Sequence, residues 1–79
     1  MEQSKKAVAD QIRAGRALKG LSQAGLASLA GVSSMTVKRA EGSGKPYPSE
    51  ETLNSIKAAL EEAGVVFIPE NGDGIGVRL

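Results

Sequence analysis

The chain has 79 residues and a net charge of +1, with neither cysteine nor histidine. That length allows one domain with a small core, because a chain this short buries only about 60% of its unfolded surface. Without Cys there is no disulfide framework or thiolate chemistry, and without His the commonest metal ligand and general base are missing. No run of 18 apolar residues occurs, and the opening MEQSKKAVAD has no apolar signal core, so a cytoplasmic location is expected.

A first helix is expected from about Ser4 to Lys19, with Val8, Ile12 and Gly15 on one stripe and Leu18 beside it. Lys5, Lys6, Arg13 and Lys19 read as its solvated face, and Gly20 as its stop. Leu21 then enters the core. The stretch Gln23 to Glu41, QAGLASLAGVSSMTVKRAE, does not fit one continuous helix. Leu26, Ala27 and Ala30 share a face of one short helix; Val37 and Ala40 share a face of another. Ser22 is the expected N-cap of the first, Ser33 that of the second. Between them Gly31 can take a left-handed backbone angle and Val32 can plug the corner. A helix, a short glycine turn and a second helix form a helix-turn-helix unit.

GSGKPYPS, residues 42–49, has too much glycine and proline for helix. Ser49 is the expected cap of a fourth helix, with Glu50 and Glu51 near its positive end. Leu53, Ile56, Lys57 and Leu60 mark its inner edge, the Lys57 head reaching water, and Gly64 ends it. The last segment changes character. Val65 to Ile68 and Ile75 to Leu79 favour strands, with Pro69 stopping the first and Asn71 to Gly74 supplying a turn.

Charge is unevenly distributed. Residues 1–20 carry +3, residues 33–48 carry +2, and residues 49–79 carry −4. A basic end and an acidic end suit a protein that meets phosphate with one face, although ordinary solvated charge gives the same pattern. Enzyme readings lack parts: Glu50-Glu51 and Glu61-Glu62 are explained by capping and solvation, and NGDGIG lacks the strand-then-helix context of a phosphate cradle. No catalytic residue, cofactor or metal site is expected.

LSQAGLASLAGVS followed by TVKRAEG resembles the lambda-repressor/Cro-like (Xre-type) helix-turn-helix family of bacterial and phage regulators. The resemblance rests on Leu21-Ser22-Gln23, Leu26-Ala27, Gly31-Val32-Ser33, Thr36-Val37 and Glu41-Gly42, and spans about residues 8–62. Residues 63–79 lie outside it. It implies a mainly α fold: a lambda-repressor-like four-helix DNA-binding domain over residues 1–64, with a short C-terminal β-tail over residues 65–79. It implies a sequence-specific transcriptional regulator, most readily a repressor, acting on double-stranded DNA as a homodimer. Alternatives are an antitoxin that also neutralises a toxin partner, and a protein-binding adaptor that uses the fold without DNA.

Carried over by position, Ser34, Met35 and Lys38 become the base readers. Their chemistry suits base edges: a hydroxyl, an apolar contact for a thymine methyl, and a donor for guanine. Arg16, Gln23, Ser33, Arg39, Ser43 and Lys45 become contacts to the DNA backbone. Arg16 and Glu41 match positions where the family often has a semi-buried ion pair. Two departures, Ala40 for a larger aliphatic and Gly15 for a larger apolar residue, lead us to expect a thinner core between the first and third helices. In the tail, a lone hairpin is barely stable, so Val65, Phe67, Ile75, Val77 and Leu79 are expected to be covered by pairing with a second subunit. The competing reading is that the tail folds back on its own fourth helix.

Overall fold

A computed structural model describes residues 5–68 and 76–79; Ser4, Pro69, the Asn71–Gly74 turn and Ile75 lie outside the described residues. The protein is mainly helical, with four helices and one two-stranded antiparallel sheet. Helix α1 spans Lys5–Leu18, α2 Gln23–Ala30, α3 Ser34–Ala40 and α4 Glu50–Glu62; strands β1 and β2 are Val66–Ile68 and Gly76–Arg78. None of these helices is long and apolar enough to cross a membrane.

Each helix after the first starts on a serine. The hydroxyls of Ser22, Ser33 and Ser49 accept from the amides of Gly25, Thr36 and Thr52 at 2.9, 3.1 and 3.2 Å. Each cap satisfies an otherwise orphaned N–H of a first turn. Helix α2 ends at Gly31, whose φ of 72° and ψ of 30° lie in the left-handed region. Its amide and that of Val32 return to the carbonyls of Ser28 and Ala27, the paired C-terminal closure that turns the chain sharply into α3. The corner read from the sequence therefore stands where Gly31 and Ser33 put it.

Ile12, Leu26, Val37, Ala40, Ile56 and Leu60 are fully buried and join all four helices in one core, with Val32, Leu21 and Tyr47 packed against its margin. Two expectations about α1 need correction. Leu18 does not join the core; at the last turn it is 44% exposed. Gly15 is buried, but the space beside it faces α4 and the chain after it rather than α3. A Cβ built on Gly15 would lie 3.2 Å from a Val65 methyl and 3.3 Å from a Leu60 methyl. The missing side chain is thus replaced from the far end of the chain, and the core is not thinned there.

The tail forms the expected antiparallel pair, Val66 opposite Arg78, Phe67 opposite Val77 and Ile68 opposite Gly76. Its apolar side is covered within the same chain. Val65 precedes the strand and is a core residue, 2% exposed. Phe67 and Val77 pack against the helical core, and β2 lies along α1. The Lys57 ammonium of α4 sits 5.3 Å from the Phe67 ring centre, a cation–π contact. Val65, Phe67 and Val77, which the sequence reading gave to a partner subunit, are therefore engaged here by α1 and α4. Of that set, Leu79 remains exposed, and Val66 beside it is exposed as well.

A buried glutamine holds the tail in place. Gln11 is 3% exposed, and its Nε2 donates to the carbonyls of Ile68 and Gly76 at 3.3 and 3.2 Å. It thereby touches both strands from α1. Among the described residues its Oε1 has no hydrogen-bond partner.

Candidate functional site

Helix α3 turns Val37 and Ala40 into the core, and this fixes which residues it shows to solvent. Ser34, Met35 and Lys38 are exposed, Met35 by half, and Arg39 is half-buried. Ser33 cannot be both a free hydroxyl and a cap: it accepts from the Thr36 amide and shares a hydrogen bond with the Thr36 hydroxyl at 2.9 Å. Ser43 and Lys45 are exposed on the segment after α3. Lys38, Arg39 and Lys45 have no carboxylate partner among the described residues. The surface formed by α3 and the chain after it is thus cationic, with one exposed methionine and short hydroxyls between the charges.

Behind that surface lies a closed polar junction centred on Glu41, whose side chain is only 3% exposed. Arg16 of α1 donates from Nε to one carboxylate oxygen at 2.9 Å and from Nη2 to the other at 3.1 Å. Its Nη1 donates to the Leu21 carbonyl at 3.1 Å. Gln23, the first residue of α2, donates from Nε2 to the same carboxylate at 3.0 Å. Arg13 adds a hydrogen bond to the Glu41 backbone carbonyl. A buried carboxylate is costly unless it is paired and its lone pairs are satisfied, and here both oxygens are engaged by donors from two other helices. The junction holds α1, the start of α2 and the end of α3 in one geometry.

The junction separates the expected backbone contacts into two groups. Arg16 and Gln23 face inward to Glu41 and act on the surface by bracing it. Arg39, Ser43 and Lys45 are placed with their polar ends accessible. Gln11 and Tyr47 were not singled out from the sequence, and Arg13, read there as solvated, also hydrogen-bonds the Glu41 carbonyl. Arg13 lies one turn before Arg16 on α1, a spacing that would have flagged it once the Arg16–Glu41 pair was drawn. For Gln11 and Tyr47 the sequence carries no local signal.

Asp10 also belongs to this side of α1. It accepts from Lys6 at 3.1 Å and from Arg13, and the Lys6 hydrogen bond, with the charges of both cations, holds its carboxyl below the usual carboxylate range. Comparison with protein-family models and with curated proteins finds no match to this chain.

Proposed function

We propose that the protein is a sequence-specific DNA-binding regulator of the lambda-repressor/Cro-like helix-turn-helix type, most readily a repressor. The observation that carries this reading is the pairing of an exposed α3 start, Ser34, Met35 and Lys38, with a buried brace directly behind it. A reading helix needs polar side chains at its N-terminal end to reach base edges in the major groove, and a rigid mount to hold them in register. Gln23, Arg16 and Glu41 supply such a mount. Arg39, Ser43 and Lys45 then contact phosphates, which position the helix without carrying sequence information.

The regulator acts as a homodimer on a palindromic site, with half-sites about 34–36 Å apart, one turn of duplex. With Val65, Phe67 and Val77 engaged inside the subunit, the dimer contact falls to the outer strand edges and the exposed Val66 and Leu79.

Selection of bound sequences from a random duplex pool tests the reading. Recovery of a palindrome supports it; a pool that stays random through successive rounds overturns it. Against a recovered site, Lys38→Ala is expected to relax one base position at a cost of about 1–3 kcal/mol. Binding measured across a salt series separates this reading from a protein-binding adaptor, for which no steep salt dependence is expected.

A further inference from the structure

On the flank of the molecule, the first two turns of α1 and the segment 42–47 enclose a groove of about 480 Å³. Lys5, Lys6, Arg13, Arg39, Lys45 and Tyr47 line it. Lys5 and Arg13 come to one side by helical spacing, two turns apart with the buried Ala9 between them. Arg39 and Lys45 come from the end of α3 and the chain beyond it. Gly42 and Gly44 add no side chains to that wall, which leaves the groove open. Nothing in the local pattern joins the two stretches, and Lys5 and Lys6 read there as solvated charge.

The charge balance inside the groove is one-sided. Of the carboxylates nearby, Glu41 is held by Arg16 and Gln23, and Asp10 by Lys6 and Arg13. No described carboxylate pairs with Lys5, Arg39 or Lys45. Lys5 instead lies over the Tyr47 ring, 4.8 Å from its centre. The Tyr47 hydroxyl is shielded from water and has no hydrogen-bond partner among the described residues. Burial raises its pKa. Like charges converging on a concave surface focus a positive potential that an anion relieves.

We propose that this groove is a binding site for a phosphate-type anion, carried either by a small phosphorylated molecule or by a nucleic-acid backbone. Arginine forks and lysine ammoniums are the usual partners of phosphate oxygens. The volume falls within the range of small-ligand sites and accommodates a diphosphate. Arg39 and Lys45 are also the residues proposed above to meet duplex phosphates, so the nucleic-acid arm rests on that reading; the small-molecule arm does not, and Ser34, Met35 and Lys38 do not line the groove.

The test is amide chemical-shift titration of the full chain with inorganic pyrophosphate at constant ionic strength, followed by the same titration with a short random duplex. Saturable shifts at Gly42, Gly44, Lys45 and Tyr47 are expected. The double variant Lys5→Ser/Lys45→Ser is expected to weaken binding by about tenfold or more, as loss of charge-assisted contacts implies. Tyr47→Phe, which keeps the ring under Lys5 and removes only a hydroxyl shielded from the groove, and Lys19→Ser, at an exposed lysine outside the groove, are both expected to leave it unchanged. Pyrophosphate binding alone identifies a small phosphorylated ligand. Shifts with duplex alone, lost in the double variant for every sequence alike, identify backbone phosphate. Failure of both probes to shift these amides, or equal weakening by Lys19→Ser, overturns the proposal.

Discussion

The polar junction that braces the α2–α3 corner and the seat of the β-tail each bury a polar side chain on which other elements depend, and they do so in opposite ways. At the junction, Glu41 is a carboxylate with both oxygens engaged by donors from α1 and α2. At the tail, Gln11 is neutral, and it ties down two strands through one nitrogen while its own oxygen lacks a partner among the described residues. A buried charge is tolerated only where it is fully paired, whereas a buried amide can be half-satisfied at lower cost. The corner should therefore be rigid and intolerant of change, and the tail the part of the fold that loosens first.

Removing the charge at the junction sharpens that contrast most. Glu41→Ala leaves the Arg16 guanidinium without its carboxylate and is expected to cost about 3 kcal/mol, the scale for breaking a largely buried pair. Thermal unfolding measures it; a change within a few tenths of a kcal/mol would mean the junction is not the mount argued for here. Next comes Gly31→Val. No atom lies within 4 Å of a Cβ built there, so any cost comes from forcing a β-branched residue to a φ of 72°, about 2 kcal/mol. Wild-type stability in that variant would place the turn's strain elsewhere.

Gln11→Ala probes the other region. It strips the Ile68 and Gly76 carbonyls of their donor and is expected to cost about 1–2 kcal/mol. Its signature is spatial: amide exchange should accelerate at Phe67 and Val77 while the amides of α2 and α3 keep their protection. Equal acceleration in both regions would erase the distinction between them. The smallest effect concerns the exposed pairs of α1. Asp10 has a lowered folded-state pKa, so its stabilising contribution is present above the unfolded carboxylate value of 3.8 and fades as pH falls through the lower folded one. The slight stability gap between the parent and Asp10→Asn should close over that acidic window in a pH series of melts.

What was legible in the sequence follows the same division. The corner is encoded locally: Ser22 caps three residues ahead, Gly31 closes the turn behind it, and Ser33 caps the next helix, each within a few positions of its partner. The Arg16–Glu41 pair came through family resemblance, and the Gln23 contact that completes it was not foreseen. The tail's strands and their antiparallel pairing were readable from β-branched runs and turn residues. Their seat was not, because Gln11 bonds backbone carbonyls 57 and 65 residues away, and a carbonyl leaves no mark on side-chain patterning. Val65 misled for a related reason: a strand-like residue type filled the hollow beside Gly15, a fact only the closed fold reveals. The basic groove was hidden likewise, since its two walls come from stretches that the sequence sets about thirty residues apart.

The bond between Gln11 and Gly76 has a kinetic side as well. It closes a loop of nearly the whole chain, from the second turn of the first helix to the start of the last strand. Helices α2 to α4 can collapse on contacts that are close in sequence, but α1 gains its Gln11 and Gly15 contacts only when the far end has arrived. During synthesis the β2 segment emerges last of these elements. A nascent chain halted before Gly76 would lack one of the two acceptors of the Gln11 amide, the Ile68 carbonyl being the other, and assembly would complete in a final sealing step governed by loop closure rather than by helix formation.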